Sequence, residues 1–269
     1  MVIYSTTFVI VPEHDVLVPS FTSKLSRLIL VKASSTYSKL VHDSRPYKPI
    51  KVSVIKRAND ERPIFSTKKE KAILKGGEKY FFNFTFLDDA ILNELISNPQ
   101  FEVKVWGTKF SVELENVSAV DKVSLDDARY YKVLFLTPTL LQPPRFSKKK
   151  VSNRYVLFPY TPLLLSSIAA HWNSNMDEKV HGISGAKALY YFREVNYRLK
   201  PITTYYSGRP VRGFIGWTIY ELTARRNSRL RRNIIRLLAY SNYFGVGKSR
   251  AIGFGEVKVT PLNEATDRS

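Results

Sequence analysis

The chain has 269 residues, 44% hydrophobic and 13% aromatic, which is enough for one large or two small hydrophobic cores. Its formal net charge of +19 favours a polyanionic partner. The absence of cysteine excludes a disulfide framework, a thiolate nucleophile and a zinc knuckle. With no signal-peptide pattern and no apolar run as long as a membrane span, the sequence predicts a cytoplasmic protein without a membrane partner.

The first half of the chain alternates strand and helix patterns in the order β-α-β-β-α-β. Hydrophobic residues recur with period 2 in the strand segments and with helical spacing between them. The predicted elements are strand Tyr4–Val11, a helix from a Ser20 cap to Lys32, a short helix Thr36–Val41, strand Lys48–Lys56, strand Tyr80–Phe86, a helix from an Asp88 or Asp89 cap to Ser97, and a hairpin of Phe101–Val105 and Phe110–Leu114.

The same order of elements starts again after a turn-rich linker, Asp121–Ala128. The predicted elements are strand Tyr131–Leu136, helix Pro162–Trp172, two or three strands within Tyr190–Leu199 and Phe214–Glu221, a helix from an Asn227 or Ser228 cap to about Tyr240, and strand Gly255–Val259. This order predicts an α+β protein with two tandem ferredoxin-like (βαββαβ) domains, residues 1–122 and 129–262, followed by a frayed tail from Asn263.

Acidic residues are distributed unevenly along the chain. None occurs between Asp127 and Asp177 or between Glu221 and Glu256, whereas many lie between Asp60 and Asp127. An ordinary basic surface remains the alternative, but charge segregated in this way favours a phosphate backbone as partner.

A glycine-rich basic segment lies between the last helix and the last strand. Glycine permits positive φ and lets backbone N–H groups approach a phosphate. Dinucleotide loops run from strand to helix, and Asn242 occupies the place of the first Walker A glycine, so a nucleotide-cofactor site is excluded. The segment contributes these candidate polyanion-binding residues: Gly245, Gly247, Lys248, Ser249, Arg250, Gly253 and Gly255.

The helix before this segment carries a basic stripe. Arg225, Arg229, Arg232 and Arg236 recur at spacings of four, three and four, and Arg231 is expected to widen the stripe. A solvated helix surface is the alternative reading. It is disfavoured because the helix contains no acidic residue for i,i+4 pairing.

Two further basic segments are candidate polyanion contacts. Arg209 and Arg212 flank a turn with Tyr205 and Tyr206, where interleaved arginine and aromatic side chains can stack on unpaired bases. The other segment could make non-specific contacts with a phosphate backbone or could be a solvated loop. It consists of Arg145, Lys148, Lys149, Lys150 and Arg154.

A cationic cluster is predicted around the first helix. Lys24 and Arg27 are i,i+3 neighbours, and His42, Lys48 and Lys51 follow. Ribonucleolytic cleavage without a metal needs a proton acceptor for the 2′-OH, cations for the pentacoordinate phosphate and a proton donor for the leaving oxygen. His42 also fits a surface histidine, and Lys51, which we expect to point away from the core, fits a solvated strand face. The four histidines are dispersed along the chain, which argues against a metal site.

The C-terminal pattern Gly-x-Gly-x5-Gly-x-Gly, between a basic helix and a last strand, resembles the CRISPR repeat-RNA-processing endoribonucleases of the repeat-associated mysterious protein superfamily. His42 and Lys48 match the six-residue spacing of a histidine and a lysine in several such enzymes. The family's frequent first-helix tyrosine has no counterpart within Ser20–Lys32. Other members work with basic residues alone, and the resemblance implies that role for Lys24, Arg27, Lys51 and Arg231.

The resemblance implies one cleavage in each repeat of a precursor CRISPR RNA, without a cofactor or metal. The 2′-OH would attack in line and leave a 2′,3′-cyclic phosphate and a 5′-OH. The implied partners are repeat RNA, a second copy in a homodimer, and interference-complex subunits in transient contact. The alternatives are a non-catalytic RNA-binding backbone subunit of an interference complex and a general single-stranded RNA chaperone.

Overall fold

The computed structural model describes residues 1–144, 154–183 and 185–262. The predicted basic segment at 145–150 and the predicted tail from Asn263 therefore lie outside the described residues. The chain forms two compact units. Unit 1 comprises Met1–Asp121 and two later segments, Thr203–Val211 and Ala251–Gly253. Unit 2 comprises Lys122–Ile202, Arg212–Arg250 and the chain from Phe254 on.

Unit 1 is built on an antiparallel sheet of strand order β3-β6-β1-β8-β7, with β4 also paired to β6 and a separate β2–β5 pair. Its elements are β1 (Ile3–Pro12), β2 (Val16–Val18), α1 (Ser23–Ala33), α2 (Ser35–His42), β3 (Ile50–Val52), β4 (Lys56–Arg57), β5 (Ala72–Leu74), β6 (Tyr80–Phe86), α3 (Asp89–Ser97), β7 (Gln100–Val105) and β8 (Thr108–Val120).

The core of unit 1 lies on one face of this sheet. Phe82, Phe84 and Phe86 alternate along β6 and are fully buried, as their period-2 spacing predicts. Phe8 of β1 stacks on Phe82 with ring centroids 5.0 Å apart. Each buried phenylalanine contributes about 1.5–3 kcal/mol of transfer free energy, so β6 anchors the unit.

The first two helices begin differently: α1 has no side-chain cap, whereas the start of α2 is fixed by side-chain hydrogen bonds. The predicted Ser20 cap is wrong, because Ser20 Oγ donates to the Tyr205 carbonyl and α1 begins only after Thr22. Ser34 caps α2 by accepting the Tyr37 N–H at 2.9 Å. Burial opposes ionisation of Glu94 on α3, but hydrogen bonds from Ser34, Ser35 and Thr36 outweigh it and lower the Glu94 pKa to about 2. These bonds fix the start of α2 against α3.

Unit 2 is built on a sheet of strand order β10-β11-β9-β12, with β9 antiparallel to both of its neighbours. Its elements are β9 (Tyr130–Thr139), α4 (Thr161–Asn175), α5 (Gly185–Tyr191), β10 (Phe192–Tyr206), β11 (Arg209–Leu222), α6 (Arg229–Phe244), the 3₁₀ turn Arg250–Ile252 and β12 (Val257–Leu262). The ends of β10 and β11 and most of the 3₁₀ turn belong to unit 1.

The mixed α/β class with antiparallel sheets is confirmed. The strand expected at Lys48–Lys56 is divided into β3 and β4. Three elements of the structure, β2, β5 and α5, were not predicted. Helix α6 begins after the predicted Ser228 cap and continues to Phe244, where Gly245 ends it at φ +68°. Within the described residues no helix combines the length and apolarity that crossing a membrane requires.

Candidate functional site

Arg27 of α1 lies at the centre of a group of polar side chains in unit 1. Its Nη1 donates to the Tyr206 hydroxyl at 2.5 Å, the one hydrogen bond that its guanidinium makes within the described parts of the chain. Tyr206 comes from the segment Thr203–Val211 and packs edge-on against Phe21, with ring centroids 6.1 Å apart. We call Arg27, Tyr37, Lys48 and Tyr206 the Arg27 cluster.

The segment that carries Tyr206 is attached to unit 1 by two further hydrogen bonds. Ser20 Oγ donates to the Tyr205 carbonyl at 3.0 Å, and Thr204 Oγ1 donates to the Ser66 carbonyl at 2.8 Å. Because both bonds are made by residues immediately before Tyr206, they hold its backbone beside Arg27.

Tyr37 of α2 forms the buried side of the Arg27 cluster. Its ring is fully buried edge-on against Phe84, with centroids 5.2 Å apart. Burial raises the pKa of Tyr37 well above its ordinary value, and the nearby Arg27 guanidinium opposes this rise. The Tyr37 hydroxyl and Arg27 Nε are both buried, and neither meets a hydrogen-bond partner among the described residues. The inner edge of the Arg27 guanidinium is therefore shielded from water.

Lys48 brings a second positive charge to the cluster. Its Nζ donates to the Val41 carbonyl near the end of α2 at 2.5 Å. Desolvation lowers the pKa of Lys48; the charges of Arg27 and Arg45 lower it further, and Asp43 opposes them. Lys48 and Arg27, two predicted site residues, therefore lie within electrostatic reach of each other.

Three other predicted residues lie on the elements around the cluster. Lys24 is exposed on α1, one turn before Arg27, and His42 is exposed as the last residue of α2. Lys51 is only 6% exposed, because all three residues of β3 are buried. The alternative of a solvated strand face at Lys51 is therefore wrong, and Thr85 of β6 lies opposite it in the sheet.

Arg231 differs from its predicted place on an open basic stripe. It is 5% exposed, and all of its guanidinium nitrogens are bonded within unit 2. Nε and Nη2 bind Asp127 at 2.7 and 2.5 Å. The remaining donors bind the carbonyls of Leu222, Ala224 and Ala128 at 2.7–3.0 Å. This geometry corrects the expectation that Arg231 widens the stripe: its side chain cross-links the start of α6 to the preceding loops.

The other arginines of α6 form a shorter exposed stripe than the spacing predicted. Arg229 and Arg232 are exposed, and Arg232 donates to the Asn227 carbonyl. Arg236 is paired with Glu178 at 2.6 Å and lies over the Trp172 ring. Although α6 contains no acidic residue, Arg236 forms an ion pair with Glu178 from another part of unit 2.

The glycines of the C-terminal loop are required by their backbone conformation. Gly245, Gly247, Gly253 and Gly255 all have φ between +68° and +93°. A Cβ on Gly255 would lie 1.9 Å from the Val246 carbonyl oxygen, and one on Gly247 would lie 2.6 Å from the Leu140 carbonyl oxygen. The loop is therefore a close-packed turn, and a residue with a side chain does not fit at these glycine positions.

Most amides of this loop serve its own packing. The N–H groups of Gly247 and Lys248 bind Ser167 Oγ and the Leu140 carbonyl, and that of Gly255 binds the Pro138 carbonyl. The expectation that glycine opens these particular N–H groups to a phosphate is wrong. Exposed side chains of Lys248 and Ser249 remain at the surface of the loop, whereas Arg250 is buried and donates to the Ser167 carbonyl.

One glycine of the loop belongs to unit 1. A Cβ on Gly253 would lie 2.8 Å from the Ser23 Cβ, and Ser23 Oγ donates to the Ile252 carbonyl at 2.7 Å. Both contacts are at the first turn of α1, which also carries Lys24. The structure therefore brings this glycine next to the helix that presents Arg27.

Comparison with known proteins matches nearly the whole chain to one family. The Cas6 N-terminal domain matches residues 4–120, and the CRISPR-associated endoribonuclease Cas6 matches residues 133–257. The chain belongs to the Cas6 family. This confirms the resemblance inferred from the glycine pattern.

Individual relatives extend along the full chain. The CRISPR-associated endoribonuclease Cas6 1 of Saccharolobus solfataricus is 26% identical over 282 aligned positions, covering 96% of each chain. The structure of a Cas6 product complex is 19% identical and has a TM-score of 0.70, covering 97% of this chain and 99% of that chain. The structure of an RAMP protein binding different RNA substrates is 16% identical with a TM-score of 0.62, covering 96% and 99%. The two structures show a shared fold.

The last two predicted RNA-binding residues lie in the hairpin between β10 and β11. Arg209, in unit 1, and Arg212, in unit 2, are both exposed. The sequence had indicated this turn as a site for base stacking but gave no sign that Tyr206 binds Arg27. Tyr37 was not among the predicted site residues, because the tyrosine implied by the resemblance belongs to the first helix and Tyr37 lies on α2.

Proposed function

We propose that this Cas6-family chain is a metal-independent endoribonuclease that cleaves precursor CRISPR RNA within its repeats. In this reaction the 2′-OH attacks the adjacent phosphorus in line, a 2′,3′-cyclic phosphate forms and the 5′-oxygen leaves with a proton. The observation that carries the proposal is the Arg27 cluster, where Arg27 of α1 binds Tyr206 and lies within electrostatic reach of Lys48 in the loop before β3, in a chain matched along its length by Cas6 endoribonucleases.

Charge stabilisation is assigned to Arg27 and its neighbours. Arginine has five N–H donors, and Arg27 uses one of them for Tyr206 while Nε is buried. The other donors on Nη1 and Nη2 suit a bidentate contact with phosphate oxygens. Lys24, one turn away, and Lys51 on β3 would add positive charge as the pentacoordinate phosphate forms.

Proton transfer is assigned to Lys48 and His42. The lowered pKa of Lys48 makes its ammonium a better acid than an ordinary lysine, which suits protonation of the leaving 5′-oxygen. His42 follows Val41, whose carbonyl accepts the Lys48 ammonium, so both groups lie at the end of α2. An imidazole there suits a base for the 2′-OH.

The exposed cations outside the cluster, together with the exposed hydroxyl of Ser249, are assigned to RNA binding. The cations are Arg209, Arg212, Arg229, Arg232 and Lys248. Arg231 and Arg250 are buried and would support this surface through packing. Repeat RNA is the proposed partner and the cytoplasm the proposed location; a homodimer and transient contact with interference-complex subunits remain part of the proposal.

We interpret the two units as tandem ferredoxin-like folds and keep residues 1–122 and 129–262 as the domains. The order β3-β6-β1-β8 in unit 1 and β10-β11-β9-β12 in unit 2 supports this interpretation, because each places the first strand of its unit between the third and the fourth.

The decisive experiment is incubation of the purified chain with end-labelled repeat RNA in EDTA, followed by end-group analysis. We expect one cut per repeat, a product with a 2′,3′-cyclic phosphate and a second product with a 5′-OH. RNA that is bound but left uncut would favour the non-catalytic backbone subunit. Cleavage that requires added Mg²⁺ would overturn the mechanism, and equal binding of unrelated RNA would favour the chaperone.

A second prediction concerns the exposed arginines of α6. The double substitution Arg229→Ala/Arg232→Ala should weaken repeat binding and reduce the slope of log K against log salt by about 1.4, if each arginine neutralises one phosphate of a single strand. Binding measured by fluorescence anisotropy over a salt series checks this. The control is Lys79→Ala/Lys104→Ala, which removes the same charge from exposed positions of the acid-rich region. An equal change of slope in both variants would remove α6 from the interface.

A further inference from the structure

The Arg27–Tyr206 hydrogen bond joins two residues 179 positions apart in the chain. We propose that Tyr206 is a positioning residue, which holds the Arg27 guanidinium in the orientation needed at the scissile phosphate. This inference rests on the proposed function, since it gives Tyr206 a role in the same reaction. Tyr206 itself need not touch RNA for this purpose.

Arg27 needs such a residue because its other anchors are weak. Within the described chain the guanidinium has no carboxylate partner, and its Nε and the neighbouring Tyr37 hydroxyl are buried without hydrogen bonds. An arginine side chain has many rotamers, and fixing one of them restricts that freedom before the substrate arrives. Tyr37 lies near enough to influence Arg27 but in poor hydrogen-bond geometry, so Tyr206 makes the one well-formed hydrogen bond that selects a rotamer.

Tyr206 is itself well placed to act as a fixed acceptor. Its ring packs on Phe21, and the carbonyl of the preceding Tyr205 accepts from Ser20 Oγ. Thr204 binds the Ser66 carbonyl two residues earlier. These contacts hold the segment without the Tyr206 hydroxyl, so removing that hydroxyl should release Arg27 while leaving the segment in place.

The hydrogen bond to Tyr206 also determines which nitrogen atoms of the Arg27 guanidinium can contact a phosphate. With Nη1 partly engaged and Nε buried, the Nη2 side is the part of the fork that can turn toward a phosphate. Preorganised donors act on the transition state without reorganisation, so their loss lowers the rate of the chemical step more than the affinity for the ground state.

The test compares Tyr206→Phe with the wild type in single-turnover cleavage of repeat RNA and in equilibrium binding. We expect the rate constant to fall about tenfold, the effect of losing one hydrogen bond to a charged group, while Kd stays within about twofold. The matched control is Tyr130→Phe, which removes a hydroxyl from a half-buried tyrosine of β9 outside the Arg27 cluster. Thermal unfolding of all variants should give the same Tm, since the ring of residue 206 is kept.

A double-mutant cycle with Arg27→Ala separates positioning from a general structural effect. If Tyr206 acts through Arg27, adding Tyr206→Phe to Arg27→Ala should cause no further fall in rate. A tenfold fall in both backgrounds, or an unchanged rate in Tyr206→Phe alone, would overturn the inference while leaving the proposed function intact. A wild type that leaves repeat RNA uncut would overturn both.

Discussion

Arg27→Ala is expected to lower the single-turnover rate of repeat cleavage by about 10²–10³-fold, the loss typical when one preorganised charge-stabilising donor is removed. Arg27 supplies the guanidinium donors of the Arg27 cluster, and Lys48 cannot replace them because an ammonium lacks the planar fork that binds two phosphate oxygens at once. RNA affinity should change by less than about tenfold, since the exposed arginines of unit 2 are retained. Rapid-quench cleavage and anisotropy binding measure the two quantities.

Arg27→Lys is the informative control for this prediction. It retains the positive charge but has neither the planar fork nor the reach of a guanidinium, so an intermediate rate is expected if geometry matters. Lys24→Ala should have a smaller effect, because Lys24 is exposed and screened by solvent. A large loss of affinity with a normal cleavage rate in Arg27→Ala would assign Arg27 to binding rather than to the reaction.

Elements with strong local signals could be predicted from the sequence. Strand β6 has the predicted bounds Tyr80–Phe86, because three phenylalanines at alternate positions leave one possible core face. Helix α3 begins after Asp88, whose carboxylate accepts the Ala90 N–H as an N-cap should. In both cases residues a few positions apart determine the structure.

The candidate site could be predicted only in part. Charge and spacing led to Arg27 and Lys48, which lie within electrostatic reach of each other. The bond between Arg27 and Tyr206 depends on how a distant hairpin returns to unit 1, and no local pattern encodes such a contact. Lys51 lies between Ile50 and Val52 in a strand whose hydrophobic and polar residues alternate. That alternation cannot show that the residue on the second face of β3 is buried as well.

The glycine-rich loop illustrates a similar limit. Positive φ at Gly245 and Gly255 follows from the residue type, and the structure has it. The N–H groups of such a turn can bind a ligand or other parts of the protein. Which of these they bind depends on neighbours such as Pro138 and Ser167, which are more than 70 residues away in sequence. The pattern identified the family correctly while the assumed use of its amides was wrong.

Arg231→Ala should be the most destabilising of the substitutions considered. It removes a guanidinium that binds Asp127 and three backbone carbonyls, so those carbonyls lose their donors in a largely buried site. Because the Asp127 side chain is 45% exposed, the cost comes mainly from the carbonyls left without donors; at about 1–3 kcal/mol for a buried group it corresponds to a fall in Tm of roughly 2–12 °C for a chain of this size. Calorimetry and urea unfolding check both values.

The neighbouring Arg232→Ala provides the matched control. Arg232 is exposed and binds only the Asn227 carbonyl among the described residues, so its loss should change the free energy of unfolding by less than about 0.5 kcal/mol. The position of Arg231 three and seven residues before the buried Ile234 and Leu238 explains the contrast, because this spacing places it on the inner face of α6. If Arg231→Ala instead kept the wild-type Tm and lost cleavage at unchanged affinity, Arg231 would act at the phosphate and its cross-linking role would be secondary.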